Sequence, residues 1–136
     1  MSTIKTNTLT GTTSAGVINV TAEGGSTTTN LQQGLCKAWS HHSGAGSISD
    51  SFNASHTTDH GSNDNTFSFT ASMGNTNYSV SLSGGYAAGA SSSFFSGLTQ
   101  TITTSSIRYD IGYHDGNGPH NYEWTEVYHQ IFGDLA

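Results

Sequence analysis

The sequence predicts an all-β protein: an extended N-terminal arm, then an antiparallel β-sandwich or small barrel head. Three observations carry this expectation. Ser and Thr make up about 30% of the 136 residues, and Thr is favoured in strands, where its hydroxyl keeps an exposed face wet without charge. Charged residues are only 9%, against roughly 25% in ordinary soluble domains, and Lys, Arg and Glu are the usual residues of exposed helices. Beyond Leu35 apolar residues recur at every second position, in stripes separated by Gly- and Asn-rich turns.

Residues 1–34 form the arm. Its first thirty residues carry two charges, Lys5 and Glu23, and a handful of larger apolar side chains: Ile4, Leu9, Val17, Ile18 and Val20. Fixing a backbone residue costs roughly 1–2 kcal/mol. Burying five or six aliphatic side chains at about 1.5–3 kcal/mol each does not offset that over thirty residues. The arm is therefore expected to be ordered by other protein chains. Gly16 to Ala22 reads as a strand, with Val17, Asn19 and Thr21 on one face and Ile18 and Val20 on the other. Asn30 can cap one helical turn, Leu31-Gln32-Gln33, which Gly34 ends.

The head, residues 35–136, opens with a strand. Leu35, Lys37 and Trp39 share one face; Cys36, Ala38 and Ser40 share the other. Gly44 and Gly46 mark a turn, and Ile48, Asp50 and Phe52 alternate with Ser49, Ser51 and Asn53. Thr58 to Asp64 has turn composition. Phe67, Phe69 and Ala71 make one stripe and, after a turn at Gly74-Asn75, Tyr78, Val80 and Leu82 make the next. Gly84 to Ser93 reads as a long loop or irregular edge. Thr99 to Thr104 is a strand, Ile107, Tyr109, Ile111 and Tyr113 alternate, and His114 to Pro119 is a turn. The last strand is placed from about Tyr122 to Phe132. Seven or eight strands with turns every 8–15 residues or so fit a sandwich or small barrel.

Composition excludes several functions. The net charge is −6, with only Lys5, Lys37 and Arg108 positive. Phosphate-mediated nucleic-acid binding needs several basic contacts, and an anionic membrane surface needs the same. No apolar run approaches a bilayer span, so membrane insertion is not expected. The first residues lack the charged segment and apolar core of a secretion signal; release by cell lysis would need none. Cys36 is the only cysteine, which allows no internal disulfide. It is expected as a small buried apolar residue.

Catalysis finds little support. No G-x-S-x-G elbow or other localised motif singles out a Ser-His-Asp set. Glu123 and Glu126 are poorly spaced for glycoside cleavage. No cofactor is expected. Seven histidines are many for this length. His56 with His60, and His114 with His120, are the metal-ligand candidates, but four residues on a strand span roughly 13 Å, too far for one ion. Loop histidines bonded to Ser and Asn are the plainer expectation. Among the aromatics, Trp39, Tyr86, Tyr109, Tyr113, Tyr122, Trp124 and Tyr128 could either pack or stack on sugars. Tyr122, Trp124 and Tyr128 fall on one face of the last strand and are expected to be a ligand or interface face. Val127, His129 and Ile131 fall on the other, the better core candidate.

NTLTGTTSAG at Asn7 to Gly16, TTNLQQGLCKAW at Thr28 to Trp39, DSFNAS at Asp50 to Ser55 and IFGDLA at Ile131 to Ala136 resemble stretches of small virion structural proteins of tailed phages of aquatic bacteria, described as tail-fibre or appendage proteins. The resemblance implies a non-enzymatic appendage subunit on the virion surface, a homo-oligomer with a trimer favoured. Its arm, with Ile4, Leu9, Val17, Ile18, Val20 and Leu31, would meet other copies or other virion proteins, and its head would contact a host surface glycan. His42 and His56 depart from the pattern, standing where apolar residues are expected. Two other readings stay open: a filament or capsid-decoration subunit linked by strand addition, and a free lectin-like module.

Overall fold

The computed structural model describes residues 3–12, 17–21, 25–61, 64–85, 94–115 and 117–136. The chain divides into two compact units, Met1–Leu35 and Cys36–Ala136. In the first, β1 (Asn19–Thr21) pairs antiparallel with β2 (Thr28–Asn30). The expected strand from Gly16 to Ala22 is thus three residues long among the described residues, and it finds its partner within the arm. Neither strand buries a residue, and an isolated two-stranded hairpin is marginal in water. The helical turn is present as α1 (Leu31–Gly34). The Asn30 side chain accepts the Gln32 N–H at 2.8 Å, which satisfies one of the free donors that open any helix.

The second unit holds nine strands among the described residues: β3 (Cys36–His42), β4 (Ile48–Phe52), β5 (Ala54–Asp59), β6 (Asp64–Phe69), β7 (Ser79–Gly84), β8 (Phe94–Ile102), β9 (Ser106–Asp115), β10 (Gly118–Asn121) and β11 (Val127–Phe132). They form two antiparallel sheets. One runs β4-β3-β11-β7. In the other, β9 carries β8 along one edge, and β6 and then β10 along the other, with β5 outside β6. This is a sandwich, not a barrel. Ala38, Val127 and Ile131 of the first sheet join Phe67, Phe69, Ile107, Tyr109 and Ile111 of the second in one core cluster. The period-two stripes at Phe67-Phe69 and Ile107-Tyr109-Ile111 are therefore inward faces, as alternation requires. Ala71 is exposed because the strand has already ended.

Several boundaries differ from the sequence reading. The turn expected at Thr58 to Asp64 is shorter, because β5 runs on to Asp59 and β6 starts at Asp64. β8 begins at Phe94 rather than Thr99, so it pairs along nearly the whole of β9. The turn between His114 and Pro119 is shorter, because β9 runs on to Asp115 and β10 returns from Gly118. The last strand begins at Val127, five residues later than expected. Cys36 is half-buried, its thiol 3.0 Å from the Ala38 carbonyl. Most of the expected loop at 84–93 lies outside the described residues.

Asn53 makes the corner where the chain passes from β4 in one sheet to β5 in the other. It adopts φ +55°, in the left-handed region that Asn tolerates better than most residues. Its amide donates to the Lys37 and Ala71 carbonyls at 3.0 Å each, and its Oδ1 accepts the Ala71 N–H at 2.6 Å. One side chain thus ties β3, the corner and the exit from β6. At the other end of the sequence, the Gly74 N–H donates to the Asp134 carbonyl and the Ala136 N–H to that of Ser72. This seats the terminal IFGDLA string against the buried Met73. Asn53→Ala should lose about 2–4 kcal/mol of stability, from left-handed strain and unmet carbonyls. Asn53→Gly should lose less, because only the clamp is gone. Urea midpoints of the two variants check the order.

Candidate functional site

Because β3 and β11 alternate, one set of their side chains lines the core and the other faces outward on the β4-β3-β11-β7 sheet. The register places the outward residues in two rows. One runs Ser83, Tyr128, His41, Asp50; the next runs Ser81, Gln130, Trp39, Phe52. The short serines of β7 lie beside taller aromatics on β11 and β3. An open groove of about 240 Å³ results, lined on this face by Trp39, His41, Ser81, Ser83, Tyr128 and Gln130. The His41 and Tyr128 rings stack at 4.8 Å. The Tyr128 hydroxyl donates to Glu126 at 2.7 Å, and the other oxygen of that carboxylate lies 3.9 Å from His41 Nε2. The bond to Glu126 holds the Tyr128 hydroxyl pKa above its ordinary value. Phe52 is half exposed. These two rows contain Asp50 and no Lys or Arg. The surface offers aromatic faces ringed by hydroxyl, amide and carboxylate groups.

The expected face of Tyr122, Trp124 and Tyr128 is not formed. Residues 122–126 precede β11, so strand alternation does not govern them. Trp124 is only 5% exposed. Its indole N–H donates to the Gly112 carbonyl at 2.9 Å, and its own carbonyl accepts the Gly44 N–H at 2.7 Å. A Cβ at Gly44 would sit 2.6 Å from that carbonyl, which is why glycine stands there. Tyr122 packs edge-on between Trp124 and Tyr113. Of the three, only Tyr128 reaches the outer face. Trp39 and His41, one strand over, are its actual neighbours. Tyr86 lies outside the described residues.

The histidines divide in two. His56 and His60 are exposed and bond to the Ser55 and Thr66 hydroxyls respectively. His120 stacks on Tyr113, and His114 is exposed on β9. Among the described residues no three His, Cys, Asp or Glu side chains gather as a metal site. His42 and His129 instead lie in the core, almost fully buried. The expectation of loop histidines is corrected for His42, which ends β3 and faces inward where an apolar residue was expected; His129 lies inward on β11, the face that alternation made the core candidate.

Their polar atoms are met by one another. The Tyr109 hydroxyl is 2.8 Å from His42 Nε2. Ser40 Oγ is 3.1 Å from His42 Nδ1 and 3.0 Å from His129 Nδ1. The two imidazoles stack at 4.6 Å, and His129 meets the ring of Tyr109 edge-on at 4.5 Å. Counting protons fixes the direction of this chain. If Tyr109 donates to His42 Nε2, His42 Nδ1–H donates to Ser40, and Ser40 donates to His129 Nδ1. Only the His129 Nε2–H then lacks an acceptor, matching its lack of any partner. Run the other way, both the Tyr109 O–H and His129 Nε2 go unmet. Burial pushes the His42 pKa down to about 4 and that of His129 well below the ordinary histidine value, and it raises that of Tyr109.

No protein-family model, curated protein or solved structure matches the chain.

Ser40→Ala removes the one hydroxyl that serves both imidazoles and leaves two buried ring nitrogens unmet. The expected loss is about 2–4 kcal/mol, read as a lower urea midpoint with an unchanged far-UV spectrum.

Proposed function

We propose that this chain is a non-enzymatic, homo-oligomeric appendage subunit of a virion, of the tail-fibre kind, whose arm makes the assembly contacts and whose head meets a host-surface saccharide. The observation that carries the assembly half is the exposure of the arm's apolar residues. Ile4 is 88% exposed and Leu9 59%, and Val17 and Val20 are exposed as well. Only Ile18 and Leu31 are half-buried. Apolar residues this exposed, on a segment this poor in charge, gain most from copies of the same segment wound together, and a trimer is the favoured number.

The outer face of the β4-β3-β11-β7 sheet supports the binding half. Aromatic rings offer stacking surface for the apolar side of a sugar, while Gln130, Ser81 and Ser83 offer hydrogen bonds. Asp50 and Glu126 disfavour an anionic ligand and also disfavour two such faces meeting. A neutral saccharide fits best. The nearest buried nucleophile arrangement, Ser40 between two histidines, is sealed in the core, which supports a binding role over a catalytic one. The strand-addition reading has one observation in its favour: β4 and β7 each pair on one side only among the described residues, leaving two edges that a neighbour's strand could extend.

Deleting residues 2–30 should abolish the oligomer and leave a soluble head, as read by light scattering. The same oligomer from the shortened chain would contradict the assembly role. On a glycan array, the full-length protein should bind neutral saccharides, with Trp39→Ala and Tyr128→Ala each weakening binding about tenfold, near 1.4 kcal/mol. Unchanged binding in both variants would remove this face from the account.

A further inference from the structure

The Tyr109–His42–Ser40–His129 chain joins three strands across the middle of the sandwich: β3 and β11 in one sheet, β9 in the other. Among the described residues its surroundings hold no counter-charge. From β3, His41 faces the opposite side of the sheet, beside Glu126, and Lys37, itself buried, lies at the bulge between Ala38 and Cys36 and would bring a like charge rather than a counter-charge. From β4, Asp50 pairs with His41 on the outer face. β7 contributes Val80 and Leu82 and no titratable residue. From β6 come Phe67, whose ring lies 5.0 Å from that of His129, and the buried amide of Asn65. Asp64 and Arg108 bond to each other and share the parity that points away from Asn65 and Tyr109. Among the described residues, the titratable groups within the chain are its own two imidazoles and a phenol, and His41 on the opposite face adds a like charge that also disfavours protonation of His42.

We propose that this chain is an acid-sensitive clasp between the two sheets, closed while both imidazoles are neutral and opened when either takes up a proton. Protonating His129 places a second N–H against Ser40, whose own proton already points there, and adds charge to an Nε2–H that has no acceptor. Protonating His42 does the same against the Tyr109 hydroxyl. Either cation would sit 4.6 Å from the other imidazole, with no carboxylate to offset it. A buried charge without a partner is strongly disfavoured. The cheaper response is for the sheets to part, so that both rings reach water.

The sign follows from the depressed affinities of both rings for protons in the folded state. The unfolded chain has ordinary histidines titrating near pH 6.5, so it binds the protons that the native head refuses. Stability is complete above about pH 6.5. It falls as pH drops from there towards about 4, where His42 would protonate in the folded state, and His129 acts in the same direction. Between pH 7.5 and 5, each imidazole should lower the folded-to-unfolded ratio about 30-fold, and the two together roughly 1000-fold. Asp64, whose carboxyl the bond to Arg108 holds below its ordinary value, loses its contribution only at pH below this range.

The test is urea unfolding of the full chain at pH 7.5 and pH 5. The wild type should lose about three decades in the folding equilibrium. His42→Gln and His129→Gln should each lose only half as many, while the surface variant His56→Gln should behave as wild type. A wild-type equilibrium that is flat across this range overturns the clasp, and so does an undiminished acid effect in the core variants. A reading that does not depend on those variants folding comes from a pH-stat. Unfolding the wild type at pH 5.5 should take up about two protons per chain, and uptake of none overturns the proposal.

Discussion

The sandwich is organised around a polar constraint in a place where most sandwiches are apolar. Only 32% of the residues are hydrophobic, and the inward positions of β3 are Ala38, Ser40 and His42. Three of the side chains that fill the middle of the core, His42, His129 and Tyr109, bring heteroatoms that water can no longer reach. Each such atom left unmet costs about 1–3 kcal/mol. The chain through Ser40 meets all but one of them, and it can do so only at one spacing and one register of the two sheets. Aliphatic contacts tolerate sliding; a hydrogen-bond chain across an interface does not. The register of β3 against β11, with His129 opposite Ser40, and the approach of β9 are fixed by the same few atoms.

That constraint reaches the outer surface by simple alternation. His41 and Tyr128 are the immediate chain neighbours of His42 and His129, so whatever holds the inner pair also sets the spacing of the outer pair. The outer face and its groove are thus carried on paired strands rather than on loops. The arm is the opposite case. Its hairpin and single helical turn are held by local backbone bonds and the Asn30 cap, with its larger apolar groups mostly left in water. One unit has a buried core of its own; the other leaves most of its larger apolar side chains exposed.

Much of the fold was legible because period-two patterning is a direct consequence of the pleat. Phe67-Phe69, Ile107-Tyr109-Ile111 and Val127-His129-Ile131 could be assigned to inner faces without any knowledge of their partners. Asn30 as a cap was equally plain, since its chemistry is local. The candidate surface was only partly legible. Alternation was extended back from Tyr128 to Trp124 and Tyr122, but those residues precede the strand, and Trp124 turns inward to donate to Gly112. Nothing in the local sequence marks that boundary. Trp39 could be placed on one face with Lys37, yet the meeting of Trp39 and His41 with Tyr128 depends on a pairing some 87 positions apart in sequence. What meets the nitrogens of the buried histidines was hardest to read. A histidine is polar or nearly apolar according to what meets its nitrogens, and here the partners come from three separate strands.

The central claim is that two neutral imidazoles, in opposite tautomers, hold the sheets together. Long-range imidazole ¹⁵N–¹H correlation at pH 7 tests it most directly. The account predicts His42 protonated on Nδ1 and His129 protonated on Nε2, each as a single slowly exchanging form. Finding either ring charged, or averaging rapidly between tautomers as an exposed histidine does, would contradict it.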